Sequence, residues 1–250
     1  VGESQATLAS TIRPDEFNVR VVDSWLSALP HDGEKLLLSD DDRQALSRIA
    51  VPVSLPAADM PIYHERDAAQ DVFLLMSGLV RTARTLASGR RQIIAFHWPG
   101  DVFGLSEHGA YVSDAETVAP TRLARLPMRY LDGAFLQHPA LQGLFLVKTL
   151  NDLRETQHEL VTKSQSDLPT RLAFFLLQCV EHPECYDAAT QVVSLPIARA
   201  DLADYLAAAP ESVSRAFAQL EQRRLIRRIS PQKIALDMTR IAPFCTLADR

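Results

Sequence analysis

Residues Ile197–Met238 read IARADLADYLAAAPESVSRAFAQLEQRRLIRRISPQKIALDM. Leu202, Ala203 and Leu206 fall on one face of a short helix, and Ala207–Ala209 leave room only for a tight turn. Pro210 then opens a second helix, at a position where its missing N–H has no helical partner to lose. Two helices about a three-residue turn are the skeleton of a helix-turn-helix. In the second helix Val213, Phe217 and Leu220 recur at helical spacing and face inward, so Glu211, Ser214, Arg215 and Gln219 share the outer side. Arg215 can bond guanine O6 and N7 in a fork, Glu211 can accept from cytosine N4, and Ser214 can serve a base or a phosphate. LIRRI, the turn SPQK and KIAL make a basic β-hairpin suited to lie along a phosphate backbone. Ser212, Gln219, Arg227, Arg228 and Lys233 are the backbone-contact candidates, adding affinity without sequence choice. The same spacing also fits an ordinary helical hairpin whose charges merely solvate it.

Charge distribution bears on that choice. The 250 residues carry a formal net charge of -5, which taken alone disfavours a phosphate-rich partner. Between Glu211 and Lys233, however, six basic residues face two acidic ones, so positive charge is concentrated on one short segment.

Upstream the texture differs. Residues 1–23 read as a flexible extension, and 24–50 as helical, with Leu36, Leu37, Ala45, Leu46 and Ile49 apolar and Ser39 a candidate cap. VPVSL, MPIYH, VFLLMSGLVR, QIIAFHW, DVFGL, AETVA and TRLARLP follow, short β-type runs separated by turn residues, which predicts a sandwich or roll over 51–130. From Pro139 to Gln165 the period becomes helical. Leu146, Leu150, Leu153, Gln157, Leu160 and Ser164 alternate at four and three spacings, a heptad-like seam for pairing with a second copy. Lys148, Asp152, Arg154, Glu155 and Glu159 lie off that seam. A helix packed on its own domain is the alternative. Residues 165–167 interrupt the helix as a hinge, and Leu168-Pro169 restarts it. The expected domains are therefore an extension over 1–23, a β-roll with flanking helices over 24–135, a dimerisation helix over 136–166 and a winged helix-turn-helix over 167–250.

Several stretches carry a family resemblance. D-L-A-D-Y-L-x-x-x-x-E-S-V-S-R-x-F-x-Q-L-E at Asp201–Glu221 resembles the DNA-binding motif of CRP/FNR regulators, and its Glu211, Ser214, Arg215 core is similar to the FNR and FixK form. S-G-L-V-R at Ser77–Arg81 and S-G-R-R-Q-I-I-A-F-H-W-P-G-D-V-F-G at Ser88–Gly104 resemble a FixK-like β-roll. The likeness runs with gaps from about residue 38 to 236. It implies an α+β fold: a cyclic-nucleotide-binding-like β-roll (jelly roll), a long dimerisation helix and a C-terminal winged helix-turn-helix. It also implies a homodimer on double-stranded DNA, a two-fold operator with TTGA-type half-sites contacted by Glu211, Ser214 and Arg215, and recruitment of RNA polymerase to activate transcription. Three positions depart from the pattern: Ala207 and Arg224 stand where glycine is usual, and Ala209 replaces a threonine cap.

The roll sets limits on an effector. Cyclic-nucleotide-binding relatives use a Glu after a Gly for the ribose and an Arg for the phosphate. Here Leu105 follows Gly104, and no Arg lies between Arg91 and Arg122. An anionic phosphate buried without a cation is costly, and Asp114 and Glu116 add to the cost. Cyclic AMP is therefore not expected to bind. An FNR-type iron-sulfur cluster needs four thiolates, whereas Cys179, Cys185 and Cys245 are the whole complement. No cofactor is expected. His64, His97 and His108 are read as surface or hydrogen-bonded histidines rather than haem ligands. Cys179 is expected in the core, and Cys185, in a polar loop between Glu184 and Tyr186, is the candidate redox thiol.

The odd, scattered cysteines, the absence of a membrane-length apolar run and the lack of a basic-then-apolar leader lead to the expectation of a cytoplasmic protein. Two rival classes differ in kind. A cupin-like enzyme would use His97, His108 and Glu107 as metal ligands, but the usual H-x-H pair is lacking. An interaction module would keep the dimer and lose DNA through the changes at Ala207, Ala209 and Arg224.

Overall fold

The computed structural model describes residues 12–16, 38–106 and 108–248. The described residues fall into two compact units, one comprising those up to Arg84 together with Ile94–Glu155, the other Thr85–Ile93 with Thr156–Arg250.

In the first unit a 3-10 turn, Pro14–Glu16, precedes helix α1, Asp40–Ile49. Ser39 caps α1 in a reciprocal box. The Asp42 amide donates to Ser39 Oγ at 3.1 Å, and Asp42 Oδ2 accepts the Ser39 amide at 2.9 Å. This helix starts at Asp40, and Ser24, Leu36 and Leu37 lie outside the described residues. The flexible extension needs a correction at its middle, because Ile12 is buried with Ala45 and Leu46, and the Ser47 hydroxyl donates to its carbonyl at 2.8 Å.

Eight strands follow: β1 Val51–Leu55, β2 Pro61–Tyr63, β3 Asp71–Ser77, β4 Val80–Thr85, β5 Arg91–His97, β6 Val102–Phe103, β7 Asp114–Thr117 and β8 Thr121–Pro127. They form two four-stranded sheets ordered β1-β8-β3-β6 and β2-β7-β4-β5. The β1–β8 and β3–β8 pairs are antiparallel, with Val53 opposite Leu123 and Leu74 opposite Ala124. Period-two alternation divides β3 between two cores. Val72 and Leu74 join Leu46, Leu126, Leu131, Leu141 and Phe145, while Phe73 and Leu75 join Leu55, Tyr63, Phe103, Tyr111 and Leu123. This explains why VFLLM reads as an unbroken apolar run rather than an alternating one. The β3–β4 turn requires glycine. Gly78 has φ +98°, and a Cβ there would meet the Pro120 carbonyl oxygen at 2.4 Å.

Helix α2, Met128–Gln137, and helix α3, Pro139–Gln165, complete this part of the chain. On α3, Leu141, Leu144, Phe145 and Val147 are buried, whereas Leu146, Leu150 and Leu153 are 59%, 40% and 53% exposed. Gln157 is also exposed, and the side chains of Leu160 and Ser164 lie outside the described set. Lys148, off that seam, is buried, with Nζ 3.1 Å from Asp101 Oδ1.

The second unit contains helices α4 Leu168–Val180, α5 Arg199–Tyr205, α6 Pro210–Gln222 and α7 Met238–Ala248. Its sheet runs β11-β12-β10-β9, from strands β9 Tyr186–Asp187, β10 Val192–Ser194, β11 Ile226–Arg228 and β12 Lys233–Leu236. Asp167 caps α4 by accepting the Thr170 amide at 3.0 Å, which is where the expected helix restart lies. Leu172, Ala173, Leu176 and Cys179 are fully buried on the face of α4 that packs against α6 and α7.

Candidate nucleic-acid interface

The turn between α5 and α6 is built by backbone hydrogen bonds. The Ala208 amide reaches back to the Ala203 carbonyl at 2.9 Å and the Ala207 amide to Asp204 at 3.4 Å, the paired closure of a Schellman motif. Such an ending places one residue in the left-handed region, and Ala207 has φ +51°. Arg171 of α4 fastens the turn from beneath, its Nη1 donating to the Leu206 carbonyl at 3.0 Å. The end of α6 repeats the motif: the Leu225 amide bonds Leu220 at 3.0 Å, the Arg224 amide bonds Glu221 at 2.9 Å, and Arg224 has φ +57°. Ala209 makes no side-chain cap to α6, so Pro210 alone adapts its first turn.

Val213, Ala216, Phe217 and Leu220 bury one face of α6, and Glu211, Ser214, Arg215 and Gln219 are exposed on the other, as their spacing predicts. Two of these outward groups are held by local bonds. Arg215 Nη2 donates to Ser212 Oγ at 2.8 Å, and the Ser214 hydroxyl donates to the Pro210 carbonyl at 3.0 Å. Ser212 thus orients a neighbouring guanidinium.

The wing is the β11–β12 hairpin, with Arg227 opposite Ala235 and Arg228 opposite Ile234. Its turn closes through the Ile229 amide on the Lys233 carbonyl at 2.8 Å and the Lys233 amide on Ser230 Oγ at 3.1 Å. Arg227, Arg228 and Lys233 are all exposed. Arg228, however, is turned onto α6. Its backbone amide donates to Glu221 Oε1 at 2.9 Å, and its Nε and Nη2 reach Glu221 Oε2 at 2.8 and 2.6 Å. Those contacts, chiefly, hold the Glu221 carboxyl below the usual range.

Arg199 was not singled out by the sequence reading. It opens α5, stacks over the Phe217 ring at 4.0 Å and donates to the Pro231 carbonyl at 3.4 Å, so a cation sits between the reading helix and the wing turn. Burial, then the nearby Arg228, lower its pKa. The available signal was a basic residue at the start of a helix, which does not distinguish it from any surface arginine.

In the roll, Tyr63 stacks on Tyr111 with ring centroids 3.8 Å apart, and Phe73 lies 5.7 Å from Tyr63 and 5.5 Å from Phe103. Arg81 is buried and bonds Asp59 and Glu116, each at 2.6 Å. His97 is half-buried, stacks on Phe103 and shares a 3.2 Å hydrogen bond between Nε2 and Thr82 Oγ1, whereas His108 is exposed and His64 lies against Asp114. Among the described residues no group of three His, Cys, Asp or Glu side chains is placed to hold a metal ion.

Cys185 is corrected from an open loop thiol. It is 5% exposed, and its Sγ donates to the Cys179 carbonyl at 3.1 Å. Cys179 is in the core as expected, and burial pushes its thiol well above the usual range.

Comparison with known proteins agrees with this geometry. Residues 170–242 match the Crp-like helix-turn-helix domain, and residues 54–138 match the cyclic nucleotide-binding domain. The nitrogen fixation regulation protein FixK of Rhizobium meliloti is 33% identical over 165 residues, covering 66% of this chain and 73% of that protein. The chain belongs to the CRP/FNR family, as a FixK-like member. FixK of Azorhizobium caulinodans is 29% identical over 77% of this chain and 78% of its own length. The structure of FixK2 from Bradyrhizobium japonicum aligns with a TM-score of 0.70 at 30% identity, covering 78% of this chain and 96% of that one. As a CRP/FNR-family protein the chain is a DNA-binding transcription regulator and not an enzyme. No helix among the described residues is long and apolar enough to cross a membrane.

Proposed function

We propose that this CRP/FNR-family regulator works in the cytoplasm as a homodimer on a two-fold symmetric operator with TTGA-type half-sites, and activates transcription by recruiting RNA polymerase. The exposed N-terminal face of α6 carries the reading: Glu211, Ser214 and Arg215 reach base edges, with Arg215 steadied by Ser212. Gln219, Arg227 and Lys233 serve the phosphates, and Arg199 joins them.

The exposed leucines at 146, 150 and 153 support self-association, since an apolar stripe on a helix needs a partner. A pair of α3 helices would supply the two-fold axis that an operator with half-sites roughly 34 Å apart requires.

The regulator acts in this reading without cyclic AMP, an iron-sulfur cluster or another cofactor. Leu105 stands at the ribose-binding position, and the stacked tyrosines fill one core of the roll.

Fluorescence anisotropy with a palindromic TTGA duplex and a scrambled duplex, beside sedimentation of wild type and Leu150→Glu, tests the proposal. Salt-dependent preference for the palindrome by a wild-type dimer, lost in a monomeric Leu150→Glu, supports it. Equal binding to both duplexes, or a monomeric wild type at working concentration, overturns it.

A further inference from the structure

The last turn of α6 holds a carboxylate in an unfavourable place. The C-terminal end of a helix dipole repels negative charge, and Glu221 nevertheless sits there, close to the surface that has to meet phosphates. Its contacts account for this. Glu221 accepts two hydrogen bonds from one residue, the Arg228 amide on Oε1 and the guanidinium Nε on Oε2, and Nη2 completes the ion pair with Oε2 at 2.6 Å. A charge-assisted pair beside a backbone bond to the second carboxylate oxygen fixes orientation as well as distance. Arg228 is the last residue of β11, next to the wing turn, and its strand neighbour Arg227 is exposed. The carboxylate therefore joins the reading helix to the first strand of the wing at one point.

We propose that Glu221 is a positioning residue: by clamping Arg228 it sets the wing against α6, so that Arg227 and Lys233 meet the backbone while Glu211, Ser214 and Arg215 are in the groove. Arg228 acts as a strut in this arrangement, not as a phosphate ligand. This rests on the operator-binding reading above. It differs from that reading in assigning an acidic residue, which should weaken binding by simple electrostatics, a supporting role in it.

The alternatives predict opposite signs. If Glu221 merely repels DNA or masks a phosphate-binding arginine, Glu221→Gln raises affinity for every sequence and steepens the salt dependence. If Glu221 positions the wing, Glu221→Gln and the charge-conserving Arg228→Lys each lower operator affinity by about threefold to fivefold. The salt slope then becomes shallower by roughly one phosphate contact. Hydroxyl-radical protection fades at the flanking phosphates under the wing and persists at the half-site. The double variant is no weaker than either single one, because both remove the same interaction.

Amide hydrogen exchange on the full-length protein without DNA gives a second readout. Faster exchange across 226–235 in Glu221→Gln, at unchanged melting temperature, supports the clamp. Unaltered wing exchange, or tighter DNA binding with a steeper slope, overturns it. A wild type that ignores the palindrome defeats the operator-binding reading instead, and leaves the exchange experiment to judge the clamp by itself.

Discussion

Lys148 Nζ lies 3.1 Å from Asp101 Oδ1, with only 10% and 13% of the two side chains exposed. Lys148 belongs to the same helix as the exposed leucines, and Asp101 to the turn between β5 and β6, which is itself tied to β3 by the Leu75 amide on the Asp101 carbonyl at 2.9 Å. The pair fixes the rotation of α3 about its axis and so the direction in which Leu146, Leu150 and Leu153 face.

Removing one member of a buried ion pair leaves the other charge uncompensated. Asp101→Asn is therefore expected to destabilise the protein by about 3 kcal/mol, and Lys148→Met by a comparable amount. Urea denaturation of both variants measures this. Two losses below about 0.5 kcal/mol, the range of ordinary surface substitutions, would show that the helix is held by its apolar contacts alone.

His97 is pushed down to about 4, chiefly by burial, with Lys148 adding to the shift and Asp101 opposing it. The folded state thus holds this imidazole neutral, while the unfolded chain takes up a proton near 6.5. The stabilisation is complete above pH 6.5 and is lost as pH falls towards 4, amounting to about 3 kcal/mol over that window. Stability curves of wild type and His97→Gln should converge on acidification, the variant losing this part of the slope. Parallel curves would rule out a folded state that holds His97 neutral.

Ala207 and Arg224 occupy left-handed backbone at the ends of α5 and α6. A side chain there costs roughly 1–2 kcal/mol relative to glycine, offset in part by the greater freedom of an unfolded glycine. Ala207→Gly and Arg224→Gly are each expected to stabilise by about 1 kcal/mol, read as a raised melting temperature. Ala209→Ser supplies the missing cap to α6 and adds about 0.5–1 kcal/mol.

Arg215→Ala should relax discrimination at one base pair by about 1–3 kcal/mol, leaving affinity for scrambled DNA little changed. Ser212→Ala removes the oxygen that Arg215 bonds at 2.8 Å and should give a weaker version of the same loss. Competition binding against single-base operator variants separates the two effects. Retained preference in Arg215→Ala would move the reading function elsewhere on α6.

The helix-turn-helix was legible because Pro210, the apolar period through Leu220 and the SPQK turn are local signals that tertiary packing did not override. The roll was legible from its short β-type runs, whereas in the second unit the two-residue β9 at Tyr186–Asp187 carried too little pattern to be seen. Lys148, Cys185, Arg199 and Glu221 were misread or missed for a shared reason. The role of each depends on a partner brought close by folding: Asp101 for Lys148, the Cys179 carbonyl for Cys185, Phe217 for Arg199, Arg228 for Glu221. Sequence periodicity reports which face of an element a residue occupies. It does not report what a long polar side chain finds there.

Because β3 alternates its side chains between both apolar clusters, and β8 does the same with Leu123 against Ala124 and Leu126, the two clusters share one wall. Opening that shared sheet strips the backing from both at once. Amide protection along β3 and β8 should consequently decay together, as one cooperative block, at the free energy of global unfolding.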